Sequence, residues 1–341
     1  MKAMILSQTA SLADNPAPLS WTDLPDPLPG DGQVLIKVTA CGVCHTELDE
    51  IEGRTPPPHL PVVLGHQVVG VVIASGPGAS MELSGRRVGI AWISSACGKC
   101  TYCRSGQENL CAEFKATGRD VDGGYAEYML AHEAFAHPIP PVFADAQAAP
   151  LLCAGAVGYR SLRLSGLRDG QLIGLTGFGA SGHLVLKMIR FRYPNAQAFV
   201  FARSLQEQDF ARELGAAWAG DILEPAPDLL DCIIDTTPVW TPVVEAMRSL
   251  RPGGRLVINA IRKEDADKHI LADIDYSTHL WMEKEIKSVA NVARSDVREF
   301  LSLAAQMPLI PEIQEYALKD ANRALLDLKQ RKIHGAKVLL V

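Results

Sequence analysis

The sequence predicts an α/β chain of two domains, one rich in short β-strands and the other a doubly wound parallel sheet. Three observations carry this. The chain has 341 residues, more than one hydrophobic core usually holds. Up to about Pro141 its regular segments are short, rich in β-branched residues and bounded by Gly, Pro or Asp turns. From Leu172 onward strand-like and helix-like segments alternate. Alternation implies right-handed crossovers and a parallel sheet covered by helices on both faces.

In chain order, Met1–Leu6 reads as the first strand of the mature protein, because it lacks the long apolar stretch and small-residue cleavage site of an export signal. Val34–Val38, Val68–Ile73 and Tyr125–Leu130 are the clearest strands of the first half, with proline-rich connections at Pro16–Pro29 and Pro56–Pro61. The pattern changes near Ala148. There follow a strand Leu172–Thr176, a helix from Gly182, a strand Ala198–Phe201 and a helix from Leu205. Next come a strand Cys232–Asp235, a helix Thr241–Leu250, and strands Leu256–Asn259 and Ile286–Val289. Helices around Val297–Ala305 and Ala321–Gln330 and a strand Val338–Val341 close the chain, and no internal repeat or low-complexity tract interrupts it.

Hydrophobic residues at 48% and charged residues at 21% supply an ordinary globular core. The net charge is −6 and the 33 Lys and Arg are scattered. No basic stripe offers itself to nucleic acid or to an anionic membrane. The most apolar window, Val62–Ala74, is broken by His66 and Gln67 and is too short to span a bilayer. A soluble, cytoplasmic protein is the expectation. Four of the eight cysteines fall within fifteen residues, which in a reducing compartment favours metal thiolate over disulfide.

Those four, Cys97, Cys100, Cys103 and Cys111, form a C-x2-C-x2-C-x7-C run. Four thiolates at this spacing can wrap one tetrahedral Zn²⁺ and leave no position open for chemistry, so the site would be structural. An iron–sulfur cluster, a nucleic-acid-binding zinc module and free buried thiols are the alternatives. The ferredoxin run ends with a shorter spacing and Cys-Pro, whereas Cys111 precedes Ala112. Only Lys99, Arg104 and Lys115 are basic in the vicinity, few for a nucleic-acid module.

The strand Leu172–Thr176 runs into Gly177-Phe-Gly179-Ala180-Ser181-Gly182 and then an apolar-periodic helix. This is G-x-G-x-x-G between strand and helix, where its glycines permit a tight turn and the helix N-terminus presents free N–H groups to a pyrophosphate. About 20 residues further on, NAD enzymes place a carboxylate for the ribose 2′-hydroxyl. The corresponding stretch here is Ala202-Arg203-Ser204. A guanidinium in place of a carboxylate suits a 2′-phosphate, so NADP(H) is favoured over NAD(H). Arg203 as a solvated loop residue in an NAD enzyme is the alternative.

Cys44-His45-Thr46-Glu47, Gly65-His66-Gln67 and Leu152-Cys153-Ala154-Gly155 each have a bland reading as core or surface positions. Together with the four-cysteine run and the glycine loop, in this order, they resemble the zinc-containing alcohol dehydrogenases of the medium-chain dehydrogenase/reductase superfamily. The resemblance covers essentially the whole chain. It implies a GroES-like catalytic domain over 1–153 and 292–341, with a structural zinc lobe at about 94–114, and a Rossmann domain over 154–291, the active site lying between them. It further implies that Cys44, His66 and Cys153 hold a catalytic zinc with an open fourth position. By the same resemblance Thr46 hydrogen-bonds the substrate oxygen and starts a proton path, Glu47 orients the zinc histidine and Trp92 lines the substrate pocket. His45, Thr236 and Ile261 contact the cofactor. Cys41 and Cys232 are assigned no metal.

Three positions depart from the family pattern. Gln67 stands where a Glu commonly follows the zinc histidine, and Val157 where a Thr is common; Asp49 stands where many relatives place a His that ends the proton path, so its carboxylate is a candidate proton exit, with a plain surface charge as the alternative. The function implied is reversible oxidation of a primary or secondary alcohol to an aldehyde or ketone, with two Zn²⁺ per chain, a small-molecule substrate and a homodimer or homotetramer. Two rivals are a zinc-retaining reductase of another carbonyl or an activated alkene, and a nucleotide-binding protein without turnover.

Overall fold

The computed structural model describes residues 1–307, 309–330 and 335–341, and at Ala180 the backbone alone. The chain forms two compact units, Met1–Cys153 with Val292–Val341, and Ala154–Asn291.

The first unit is organised by one long strand, Gln33–Val43. Its alternation buries Val34, Ile36 and Val38 and leaves Lys37 exposed, as a half-buried strand requires. Val68–Ser75 pairs along it on one side, with Cys41 opposite Val68. On its other side its start pairs with Tyr128–His132 and its end with Ala336–Leu340. The sheet runs Ala136–Pro138, Arg87–Ile90, Val68–Ser75, Gln33–Val43, Ala336–Leu340, Ile313–Ala317. The last two strands are parallel, joined through the helix Ala321–Lys329, and the other pairings are antiparallel. A smaller sheet pairs Lys2–Leu6 with Leu19–Asp23 and Val62–Val63. Met4, Leu6, Ile36, Ile51, Leu64 and Tyr125 belong to the core between these layers, each at most 1% exposed.

The strand expected at Tyr125–Leu130 lies instead at Tyr128–His132. Tyr125 bonds to Leu64 and Met4, so the chain there crosses between the two sheets before it enters the larger one. Ile313–Ala317 was not anticipated, because two consecutive exposed residues, Gln314 and Glu315, erase the alternation.

The second unit is a six-stranded sheet in the order Trp218–Gly220, Gln197–Phe201, Leu172–Thr176, Leu230–Asp235, Leu250–Ile258, Glu285–Ser288, parallel throughout. In chain order this is third, second, first, fourth, fifth, sixth, the Rossmann arrangement, whose switch point lies between the first and fourth strands. The helix after Leu172–Thr176 begins at Ala180, two residues before the expected Gly182. Ala154–Ser165, a helix not expected from the sequence, packs on it. No helix among the described residues is long and apolar enough to cross a membrane.

Candidate active site

The register of the larger sheet brings two of the expected metal ligands to one end. Cys44 follows directly on the strand Gln33–Val43, and His66 lies two residues before Val68, the partner of Cys41. Gly65 makes this possible. Its φ of +98° is open to glycine, and a Cβ there would stand 2.4 Å from the Tyr125 ring and 2.8 Å from Cys41 Sγ. The third residue, Cys153, caps the short 3-10 turn Ala149–Leu152, which packs against the central strand with Leu151 and Leu152 buried.

The donor atoms of Cys44, His66 and Cys153 thus converge within 4.8 Å of one another. The Cys44 and Cys153 sulfurs are 4.0 Å apart, far beyond a disulfide and close to the edge, about 3.8 Å, of a tetrahedron with Zn–S near 2.3 Å. The hydrogen bond with Cys153, helped by His66 and opposed by burial, holds the Cys44 thiol well below its usual range. The same bond and burial push Cys153 up. Burial disfavours the His66 imidazolium, but Glu47 and Cys44 outweigh it and raise its pKa. Two cysteine sulfurs at the edge length of a tetrahedron and one histidine nitrogen, beside buried carboxylates, are a donor set that fits a divalent cation with one coordination position left over.

The helix His45–Ile51 surrounds this trio with acids. Its Glu47, fully buried, closes the N-terminus by accepting from Cys44 N at 2.7 Å, while its other oxygen sits 2.6 Å from His66 Nδ1. Burial, and then Glu47, push the Glu50 carboxyl well up, and both Glu50 oxygens lack a hydrogen-bond partner. Thr46 Oγ1 lies 3.6 Å from Cys44 Sγ and is nearly buried. His45, at the start of the helix, is exposed. Asp49 is buried and pairs with Arg54 at 2.5 Å. Gln67 is buried beside Gly42. Trp92 packs edge-on against His66, ring centroids 5.0 Å apart.

Cys97, Cys100, Cys103 and Cys111 form a second cluster within 4.8 Å. Backbone N–H groups of Cys97, Cys100, Cys103 and Glu113 point at its sulfurs at 3.3–3.5 Å, as thiolates require. The N–H groups of Lys99 and Cys100 lower Cys97 to about 7. All four thiols are free, so the donor set matches a closed tetrahedral zinc site.

In the second unit, the glycine loop needs its glycines for space. A Cβ on Gly177, whose φ is +79°, would meet Thr236 Oγ1 at 2.8 Å, and one on Gly182 would meet the Gly177 carbonyl at 2.6 Å. At Gly179 a Cβ would meet nothing within 4 Å, so that backbone is open to a ligand. Gly179 caps the helix Ala180–Arg192 without a side-chain hydrogen bond, leaving the N–H groups of the Ala180-Ser181-Gly182 turn for a phosphate. Arg203 is exposed just past the end of the neighbouring strand, and Ser204 caps the next helix through Glu207 N at 3.2 Å. Thr236 Oγ1 donates to the Thr176 carbonyl at 3.0 Å, whereas Ile261 is half exposed. Val157 lies in the helix Ala154–Ser165, where its carbonyl accepts from Ser161.

Sequence reasoning missed Asp235 and Lys263. Asp235, fully buried, accepts from the Thr176 and Thr237 hydroxyls at 2.7 Å and pairs with Lys263, which also donates to the carbonyls of Thr237 and Val239. This network ties the loop after Leu250–Ile258 to the loop that packs on Gly177. The only signal was an acid directly after the apolar run Cys232-Ile233-Ile234 at the end of the strand.

A family profile described as "Alcohol dehydrogenase GroES-like domain" matches residues 30–141. The probable alcohol dehydrogenase AdhA of Mycobacterium tuberculosis is 42% identical over 320 residues, 92% of this chain and 90% of that protein. An alcohol dehydrogenase of Geobacillus stearothermophilus is 31% identical across 100% of both chains. Among solved structures, a cinnamyl alcohol dehydrogenase of Sorghum bicolor superposes with a TM-score of 0.81 at 25% identity, covering 99% of this chain and 97% of its own.

Proposed function

Given that the chain belongs to the zinc-type alcohol dehydrogenases of the medium-chain superfamily, and is therefore an NAD(P)-dependent alcohol oxidoreductase acting on small molecules, we propose the residues that carry the reaction and the cofactor it uses. The observation that carries the proposal is the convergence of Cys44, His66 and Cys153 within 4.8 Å from three distant points in the sequence. These three would hold a catalytic Zn²⁺, and Cys97, Cys100, Cys103 and Cys111 a structural one, two ions per chain. When bound, the catalytic ion supplies Lewis acidity toward a substrate oxygen.

The chain's own groups do the rest. Thr46, its hydroxyl 3.6 Å from Cys44 Sγ, would orient the hydroxyl of a primary or secondary alcohol and relay its proton, and a bound nicotinamide would supply the hydride acceptor. Carbonyl, reduced cofactor and a proton are the products, and reduction runs the same path backwards. Glu47 fixes the His66 ring from behind. Trp92, stacked edge-on against His66, bounds the site and excludes water. Asp49, held by Arg54, serves better as an anchor of the helix than as a proton exit.

Gly177, Gly179, Ala180, Ser181 and Gly182 would cradle the pyrophosphate, with His45, Thr236 and Ile261 as further cofactor contacts. Arg203 and Ser204 stand where an adenosine 2′-phosphate would sit, and no carboxylate lies at Ala202 or Arg203 to take a 2′-hydroxyl. We read the preferred cofactor as NADP(H), and the enzyme as a cytoplasmic homodimer or homotetramer.

The test combines metal analysis with kinetics over aromatic, aliphatic and cyclic alcohols. Two zinc per chain, turnover on part of the panel and a higher kcat/KM with NADPH than with NADH support the reading. Arg203→Ala should lower that preference by roughly 10- to 100-fold, the value of a charge-assisted hydrogen bond. Cofactor binding without turnover on any substrate would overturn the catalytic assignment, and a preference for NADH the cofactor assignment.

A further inference from the structure

Apart from the cysteine–histidine trio, the first unit contains a cavity of about 810 Å³ that the proposed reaction does not use. One wall is the helix Arg294–Gln306, which presents Arg294, Arg298, Leu301 and Ser302 at spacings of three and four. The strand Ala136–Pro138 contributes His137, and the four-cysteine lobe contributes Glu108.

The polar groups here are incompletely satisfied. His137 is 6% exposed and its Nε2 has no hydrogen-bond partner. Arg294 is fixed in place, its Nε 2.6 Å from Glu108 Oε1 and its guanidinium 4.7 Å above the Phe135 ring. Arg298, one helical turn on, is exposed. Glu108 is the one carboxylate among the described residues of the lining, so two guanidiniums face a single negative charge. Burial first, then the charges of Arg298 and Arg294, hold the imidazolium of His137 down to about 4, with Glu108 opposing. At neutral pH His137 is therefore an uncharged hydrogen-bonding group beside surplus positive charge. An oxyanion would satisfy both conditions at once, with the buried, unpartnered Oε2 of Glu108 as the one group among the described lining residues that opposes it. The volume is that of a small organic ligand rather than a bare ion, and Ala134, Pro138, Leu301 and Ala305 give it apolar walls.

We propose that this cavity binds a phosphate monoester with an apolar substituent, its phosphate group held by Arg294, Arg298 and His137 and its substituent lying against Pro138, Leu301 and Ala305. The site borders the four-cysteine lobe through Cys103 but shares no residue with the glycine loop or with Cys44, His66 and Cys153, and would give the enzyme a second, non-substrate ligand.

The experiment is calorimetric titration of phenyl phosphate, and of inorganic phosphate, into the zinc-loaded enzyme saturated with its oxidised cofactor, which blocks the nucleotide site. One site for phenyl phosphate is expected, bound more tightly than inorganic phosphate and weakened about 10-fold or more in Arg298→Gln. Arg298 is exposed, so this variant should fold normally, and its turnover without phenyl phosphate should be unchanged. A second variant, Ala305→Phe, should weaken phenyl phosphate while leaving inorganic phosphate unaffected. Absence of binding, or binding undiminished in Arg298→Gln, would overturn the site. Equal affinity for the two probes would overturn the apolar half of the assignment.

Discussion

Replacing Lys263 by methionine isolates the energetic role of the network beneath the glycine loop. Lys263 is 7% and Asp235 0% exposed at the side chain, so this is a buried ion pair. Methionine keeps the length and much of the volume of the stem and removes the charge. Deleting one partner of a buried pair costs about 3–5 kcal/mol, mostly from leaving the other charge uncompensated. Here Asp235 would retain two hydroxyl donors at 2.7 Å, from Thr176 and Thr237, which places the cost near the lower end, about 3 kcal/mol. With a urea m-value of about 2 kcal/mol/M, the transition of this unit should move down by about 1.5 M. Tryptophan fluorescence reports on it directly, since the Trp240 ring lies 5.9 Å from Lys263 Nζ. The double variant Lys263→Met/Asp235→Asn carries no stranded charge and should recover more than half of the loss. Because the Thr236 hydroxyl packs on Gly177, the single variant should also raise the KM for cofactor more than it lowers kcat. A midpoint shift below about 0.5 M, about 1 kcal/mol by the same slope, or a double variant no better than the single one, would refute the reasoning.

Further outcomes follow from the first unit. Thr46→Ala should slow turnover by about 10² to 10⁴ with cofactor binding intact, whereas Thr46→Ser should restore most of it; unchanged turnover in Thr46→Ala removes the hydroxyl from the mechanism. Gln67→Glu introduces a buried carboxylate next to His66, and the pH profile of kcat/KM should shift upward; a superimposable profile counts against a charge role for position 67. His137 lowers stability in acid. Its pKa is 6.5 when unfolded and about 4 when folded, so the unfolded chain binds the extra proton first. Its share of stability is full above about pH 6.5 and is lost as pH falls toward 4, about 3 kcal/mol in all. His137→Gln should flatten that part of the stability–pH curve, and a curve as steep as that of the parent protein would show that other groups cause it.

Much of the second unit was legible because its signals are local. The strand Leu172–Thr176, the glycines after it and the alternation beyond it are read within short windows, and the six-stranded parallel sheet follows from them by the handedness of crossovers. What escaped notice had no periodic signal. Trp218–Gly220 is three residues long. Ala154–Ser165 carries two glycines that lower its helix propensity, yet Gly158 is what lets it pack close to Val185 of the neighbouring helix. Tyr125 looked like strand because it is apolar, and it is buried for a different reason, at the crossing between two sheets.

The cysteine run from Cys97 to Cys111 needed only its own spacing, since a loop of that length brings its four sulfurs together by local turns and backbone N–H groups. Cys44, His66 and Cys153 could be named from the sequence through a family resemblance, but no window of sequence places them together. Their meeting depends on the pairing of Cys41 with Val68, on the left-handed turn at Gly65 and on a 3-10 turn packed against the central strand. The same holds for Lys263 beneath Asp235 and for His137 between two arginines. A side chain's chemistry is written in its residue type, but its charge state and partners depend on what the fold buries beside it, and burial is a property of long-range packing.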